Sequence, residues 1–225
     1  MNKPTSNKQV ATKTKILDAA EELFAERGFA ETSLRVITAK AEVNLASVNY
    51  HFGSKKSLIE AVFDRFMQSF TAQIMKEMAI LEKNKSIDIS QVLGTLVEPL
   101  MGTDNVRPNG ASVFMKLLGR AYAESQGHIR RYVMHNYAHV LARFTRLLQK
   151  ACPQIAASEM FWRLHFMLGA FIFTLAGHEA LQDISQSDFE ESVSTKDIIL
   201  KLIPFLAAGF LSSNSTIELL SAGEA

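Results

Sequence analysis

A chain of 225 residues with 48% hydrophobic side chains can bury a substantial core, and its length falls between one large domain and two small ones. Its formal charge of +1 announces neither a nucleic-acid nor a membrane partner, so such a partner has to be read from how the charges are distributed. The one cysteine, Cys152, excludes an internal disulfide framework and a cysteine-only metal cage; the polar opening MNKPTSNKQVATK lacks the apolar core of a secretory signal, which points to a reducing cytoplasm.

No alternation with the period of a strand persists, whereas apolar residues recur at steps of three and four in segment after segment, so an all-α fold is expected. Ile16, Leu17, Ala20, Leu23 and Phe24 form the stripe of a first helix over about residues 11–27, with Gly28 as its stop. Thr32 or Ser33 can cap a short second helix carrying Leu34, Val36, Ile37 and Ala41. Asn44 can cap a third that runs to Phe52 before Gly53. Ser54 is placed to cap a long fourth helix, in which Leu58, Val62, Phe66, Phe70, Ile74 and Met78 keep a four-residue step.

Beyond the polar break EKNKS, Ile89, Leu93, Leu96, Val97 and Leu100 continue the helical period, and Pro99 is expected to bend or end that helix. The turn RPNG follows. Phe114, Leu117, Leu118, Ala121 and Tyr122 mark one helix, and Ile129, Val133, Tyr137, Val140, Phe144 and Leu148 a longer one ending before Pro153. A further helix is expected over about residues 155–181. It includes the apolar run FMLGAFIFTLAG, which is too short to span a bilayer and reads as a buried helix. DISQSDFEESVST reads as a loop, residues 196–211 as the last helix, and SSNSTIELLSAGEA as a frayed end.

The segment NLASVNYHFGSKK gathers most of the chemistry. Two short helices joined around AEVN, the second carrying small and hydrogen-bonding side chains, have the dimensions of a helix-turn-helix whose second helix enters a DNA major groove. Ser47 and Asn49 can hydrogen-bond base edges, Leu45 and Ala46 can meet a thymine methyl, and Arg35 can fork onto a guanine. Tyr50, His51, Lys55 and Lys56 suit the phosphate backbone, and Val48 and Phe52 would face the core. Over residues 33–57, Arg35, Lys40, Lys55 and Lys56 stand against Glu42 alone, a basic face hidden by the near-neutral whole. The alternative is an ordinary helix end made of aromatic core residues, a glycine stop, a capping serine and solvated lysines.

The stretch TKILDAAEELFAERGFAETSLRVITAKAEVNLASVNYHFGSKKSL resembles the DNA-binding domain of the TetR family of bacterial repressors, through its LFAERGFAETS helix exit, its YHFGSKK ending and Leu58. The resemblance implies a helix-turn-helix domain with a short arm over residues 1–56 and a larger helical domain for effector binding and dimerisation over 57–225. It also implies bases faced by Arg35, Leu45, Ala46, Ser47 and Asn49, and phosphates held by Tyr50, His51 and Lys55. The implied partners are a palindromic operator in double-stranded DNA and a second copy of the chain, joined through the helices near 155–181 and 196–211; on spacing alone a stripe such as Phe161, Leu168 and Leu175 is more often core than interface. Glu42 departs from the family, which usually has glycine at this turn; a non-glycine residue in a left-handed turn costs roughly 1 kcal/mol.

The 15 Phe and 9 Met supply pliable filler. Phe70, Phe114, Met115, Tyr122, Met134, Tyr137, Trp162 and Phe166 are candidates to line a long apolar cavity, the alternative being an ordinary packed core. Residues 107–150 carry eight cations against Glu124, with Arg131, His135, His139, Arg143 and Arg146 along one helical face, whereas residues 179–225 are acidic. Either the basic face is solvated or paired with the acidic segment, or it forms a cationic mouth suited to a long-chain fatty acid or its coenzyme A thioester. The stretches ERGFAETSLRVIT and VNLASVNYHFGSKKSLIEAVF resemble the fatty-acid-responsive PsrA-type branch of the family, which implies repression of fatty-acid degradation genes relieved by a long-chain acyl ligand. Rival readings are a repressor responding to drug-like molecules and an architectural DNA-binding protein with no effector. His135 and His139 have the spacing of two metal ligands, but Asn136 stands where the metalloprotease pattern needs Glu, and no Gly-rich phosphate loop or serine elbow is present. Neither a metal, a cofactor nor an enzymatic activity is therefore expected.

Overall fold

The computed structural model describes residues 4–123 and 127–212, all helices and connections with no strand among them. The expectation for residues 213–225 lies outside the described residues. Helix α1 (Pro4–Arg27) starts earlier than its apolar stripe, because that stripe begins only at Ile16. Gly28 follows at φ 86°, a left-handed stop open to glycine without a Cβ penalty. Helices α2 (Leu34–Lys40), α3 (Leu45–Phe52) and α4 (Lys55–Leu81) begin on side-chain caps: Ser33, Asn44 and Ser54 accept from the backbone N–H of Val36, Ser47 and Ser57. Ile16, Ala20, Phe24, Ile37, Val48 and Leu58 close a small core among these four helices.

Helix α4 buries Leu58, Val62, Phe66, Ile74 and Met78 on its four-residue step. It packs against α1 on one side and α8 (His128–Ala151) on the other, so the expected division after residue 56 falls inside its first turn. Tyr132 and Tyr137 of α8 both donate to the Asp64 carboxylate, at 2.8 Å each, pinning α8 to α4; burial and that carboxylate push both phenols well above the usual range.

Three expectations change. Pro99 does not bend a helix: the break lies before it, between α5 (Ile89–Gly94) and α6 (Val97–Met101), and Pro99 sits in the first turn of α6, where no helical N–H is required of it. The helix expected over 155–181 is two, α9 (Ala157–Ala176) and α10 (His178–Phe189), bent by 69° at Gly177. Much of the segment read as an acidic loop is therefore α10, and only the stretch after it leads to α11 (Thr195–Leu211), which starts on a Ser194–Asp197 capping box. Among the described residues, no single helix is long and apolar enough to cross a membrane.

Helix α9 is not the buried rod its hydropathy suggested. Met160, Met167, Phe171 and Leu175 face the core, but Trp162, Phe166 and Phe173 stand at 55%, 66% and 74% exposure on the opposite face. The stripe Phe161, Leu168 and Leu175 is divided accordingly: Leu175 is fully buried and Phe161 is exposed. Buried Arg163 locks α9 to α11, pairing with Glu159 at 2.7 Å and donating to the carbonyls of Gly209, Phe210 and Ser212 that α11 leaves open at its C-terminus.

Candidate nucleic-acid interface

The turn between α2 and α3 holds Glu42 at φ 55°, the left-handed position anticipated for that non-glycine residue. The turn is closed by Val43 N–H donating to the Thr38 carbonyl at 3.0 Å, so Asn44 arrives extended and its Oδ1 accepts both the Ser47 N–H and the Ser47 hydroxyl at 2.9 Å. With both donors of Ser47 held in the cap, only its oxygen lone pairs and its face remain to read a base.

Val48 anchors α3 by pointing inward at 0% exposure, which turns Leu45, Ala46, Asn49 and Tyr50 outward. Tyr50 is 73% exposed and its ring meets His51 edge-on at 5.0 Å. His51 and Phe52 are half-buried, Phe52 against the core as expected. Arg35 stands exposed on α2. Lys55 is half-buried in the first turn of α4, with its ammonium donating to the Ala30 carbonyl at 3.4 Å, while Lys56 beside it is exposed.

A hollow of about 390 Å3 is lined by Asn44, Ala46, Ser47, Tyr50 and His51 from α3 and its cap, and by Gln9 and Thr12 from α1. Gln9 Nε2 donates to the Tyr50 hydroxyl at 3.5 Å. The sequence reading missed these two residues. Their three-residue spacing on a polar helix end, followed by Lys13 and Lys15, was the available signal, but no apolar partner fixed which face they would take. The result is a polar ridge with a groove beside it, where donors, acceptors and an aromatic face are displayed on one helix at the width a major groove admits.

The eight residues considered for a ligand cavity are not brought together. Phe114 and Met115 are buried in the core, with Phe66 stacked on Phe114 at 5.5 Å and Phe70 tilted against it at 5.8 Å. Tyr137 is tied to Asp64, and Tyr122, Met134, Trp162 and Phe166 are exposed. The basic face of α8 is solvated at His135 and His139 and partly neutralised where Arg143 forks onto Glu82 at 2.6 and 2.9 Å. No group of three metal-ligating side chains occurs among the described residues.

Residues 16–62 match the family model of bacterial regulatory proteins of the tetR family, and residues 94–209 match that of the tetracyclin repressor-like C-terminal domain, more than half of the chain. The chain belongs to the TetR family. The HTH-type transcriptional repressor Rv3405c of Mycobacterium tuberculosis is 45% identical over 74 residues, 33% of this chain and 38% of that protein, so the chain matches well under half of that relative's length. A TetR-like regulator from Rhodococcus shares the fold at a TM-score of 0.61 and 20% identity, over 90% of this chain and 97% of that one. A Clostridium perfringens protein assigned to regulation of fatty acid metabolism does so at 0.57 and 17%, over 88% and 100%. The TetR family is one of regulators rather than enzymes.

Proposed function

We propose that the protein is a cytoplasmic, DNA-binding transcriptional repressor that grips a palindromic operator as a homodimer and lets go when an amphipathic acyl ligand binds. The observation that carries the DNA-binding reading is α3 itself: a helix pinned by Val48, capped by Asn44, and displaying Leu45, Ala46, Asn49 and Tyr50 outward. In this reading Arg35, Leu45, Ala46, Ser47 and Asn49 meet bases, and Tyr50, His51 and Lys55 meet phosphates. Gln9 and Thr12 extend that surface along α1.

Dimerisation is supported by the exposed face of α9, where Trp162, Phe166, Gly169 and Phe173 follow one another at helical steps of four, three and four. Gly169 has open space above it, and on α11 exposed Phe205 and Gly209 repeat the combination of aromatic and glycine. An exposed row of large aromatic side chains marks an interaction surface, and two copies would bury it as a four-helix interface. A twofold pair then reads two half-sites set about one or more helical turns apart.

The acyl effector is supported by the excess of cations over residues 107–150 and by the fold shared with the Clostridium regulator of fatty acid metabolism. Release follows from a population shift in which the ligand favours an arrangement of the two α4 helices that no longer fits the half-site spacing. Electrophoretic or anisotropy titration of operator DNA tests it: saturating oleate or oleoyl coenzyme A should weaken binding at least tenfold. An unchanged affinity overturns the acyl reading, and release by drug-like cations instead would replace it.

A further inference from the structure

A cleft of about 770 Å3 opens where α1 meets α7 (Gly110–Ala123) and α9, and none of the residues that line it belongs to the candidates above. Small residues create it. A Cβ at Gly119 would lie 3.0 Å from Cγ2 of Ile172, so α7 and α9 touch at glycine, and Ala123 and Ala176 leave room above that contact. The floor is thus apolar, with Ala25, Val113 and Ile172 completing it.

Three cations border this floor. Lys116 and Arg120, one turn apart on α7, are both exposed, and Arg107 enters from the turn before that helix. Lys116 makes no ion pair with a described residue, and Arg120 donates to the backbone carbonyl of Glu26 at 3.0 Å rather than to a carboxylate. Arg107 donates to buried Glu21 of α1 at 2.7 Å. On the α1 side Glu22 is already paired with Lys40, and Glu26 is the remaining acid. An apolar floor beside Lys116 and Arg120, neither paired with a carboxylate, in a volume typical of small-molecule sites, is complementary to an organic anion with an apolar body.

We infer that this cleft binds such an anion, its acid group held by Lys116 and Arg120 and its body laid over Ala25, Val113 and Ile172. The inference rests on the reading of the protein as an effector-responsive regulator. Coupling is built into the walls: the ligand would sit between α1 and α7 and draw on Arg107, the guanidinium that holds α1 through Glu21, so occupancy and the grip on α1 oppose each other. By reciprocity, operator binding would then weaken the anion's hold.

Isothermal titration calorimetry on the full-length protein, using decanoate below its micelle concentration and decyltrimethylammonium as the charge-reversed probe, tests the site. Decanoate should bind saturably and the cation at least tenfold more weakly. Lys116→Glu and the cleft-filling Val113→Trp should each weaken decanoate at least tenfold, whereas Lys150→Glu, in the same basic segment but outside the cleft, should leave it unchanged. If Lys116→Glu fails to fold by circular dichroism, Lys116→Gln should still weaken binding at least threefold. Absence of decanoate binding, equal binding of the cation, or wild-type affinity in both Lys116 and Val113 variants overturns the inference. If decanoate binding follows Lys116 while operator affinity ignores oleate, the site stands and the acyl-responsive reading falls; if oleate releases the operator equally from wild type and Lys116→Glu, the reverse holds.

Discussion

Glu21 is the most consequential polar residue in the fold, because its side chain is 1% exposed and accepts from Arg65 at 3.2 Å and Arg107 at 2.7 Å, tying α1 to α4 and to the turn before α7. Each ion pair at this range is worth on the order of 4 kcal/mol in a half-wet site. Against this stands the cost of stripping water from a carboxylate, several kcal/mol, with part of the cost of two guanidiniums added. Burial is the larger influence, since it raises the proton affinity of Glu21 above the ordinary carboxylate value despite both arginines. The folded state therefore holds the Glu21 proton to higher pH than the unfolded chain does. The stability that Glu21 contributes is fully present below its unfolded value and is lost as pH rises through the folded one. Glu21→Gln keeps an acceptor for an arginine and avoids burying the charge, so stability near neutral pH should stay within about 1 kcal/mol of wild type. Glu21→Ala leaves the Arg107 guanidinium without its carboxylate and Arg65 with Asp18 alone, at 2.7 Å, and should cost about 2–4 kcal/mol, a fall in Tm of about 5–12 °C for a chain of this size. Thermal melts followed by circular dichroism at about pH 5 and about pH 8 check this. The Tm difference between wild type and Glu21→Gln should move in favour of Gln as pH rises. A Gln variant that falls as far as the Ala variant at about pH 8 would refute the reasoning, because the ionised carboxylate would then be a net gain.

Glu42→Gly relieves a left-handed φ of 55° and should raise Tm by about 1–3 °C without loss of DNA binding; a lowered Tm contradicts the strain. Asn49→Ala should relax base preference, whereas Lys55→Ala should weaken all duplexes alike and flatten the salt dependence by about one unit of slope; equal effects of the two would reverse their assigned roles. Phe166→Glu places a charge in the exposed aromatic face of α9 and should shift the protein to monomer in native mass spectrometry, with operator affinity reduced at least tenfold. A retained dimer would move the interface elsewhere.

The helix caps were legible in the sequence because they are local. Asn44 and Ser54 act within three residues, so their types announced where α3 and α4 begin, as Gly53 did where α3 ends; for α2 the choice between Thr32 and Ser33 fell to Ser33, because the Thr32 hydroxyl is buried and donates to the Leu23 and Gly28 carbonyls. The left-handed Glu42 was legible only through the family resemblance, which places a glycine at that turn. The break at Gly177 was not, since the apolar period runs on through it and only the packing of α9 against α7 and α11 decides where that helix turns. Hydropathy likewise could not tell a buried helix from one with an exposed aromatic face: Phe171 and Phe173 are equally apolar and lie two residues apart, yet one is 4% and the other 74% exposed. The cleft beside Lys116 was not legible because its walls come from three segments spread between Glu22 and Ala176, and what creates it is the smallness of Gly119 and Ala176 rather than any residue with chemistry of its own.

The central claim is that α3 reads DNA sequence within a twofold dimer, and selection of duplexes from a random pool by the purified protein tests it most directly. The expected result is one enriched palindromic motif, with half-sites about one or more helical turns apart, whose enrichment at the positions read by α3 is lost in Asn49→Ala. A pool that stays random, or a motif without twofold symmetry that Asn49→Ala leaves intact, would contradict it.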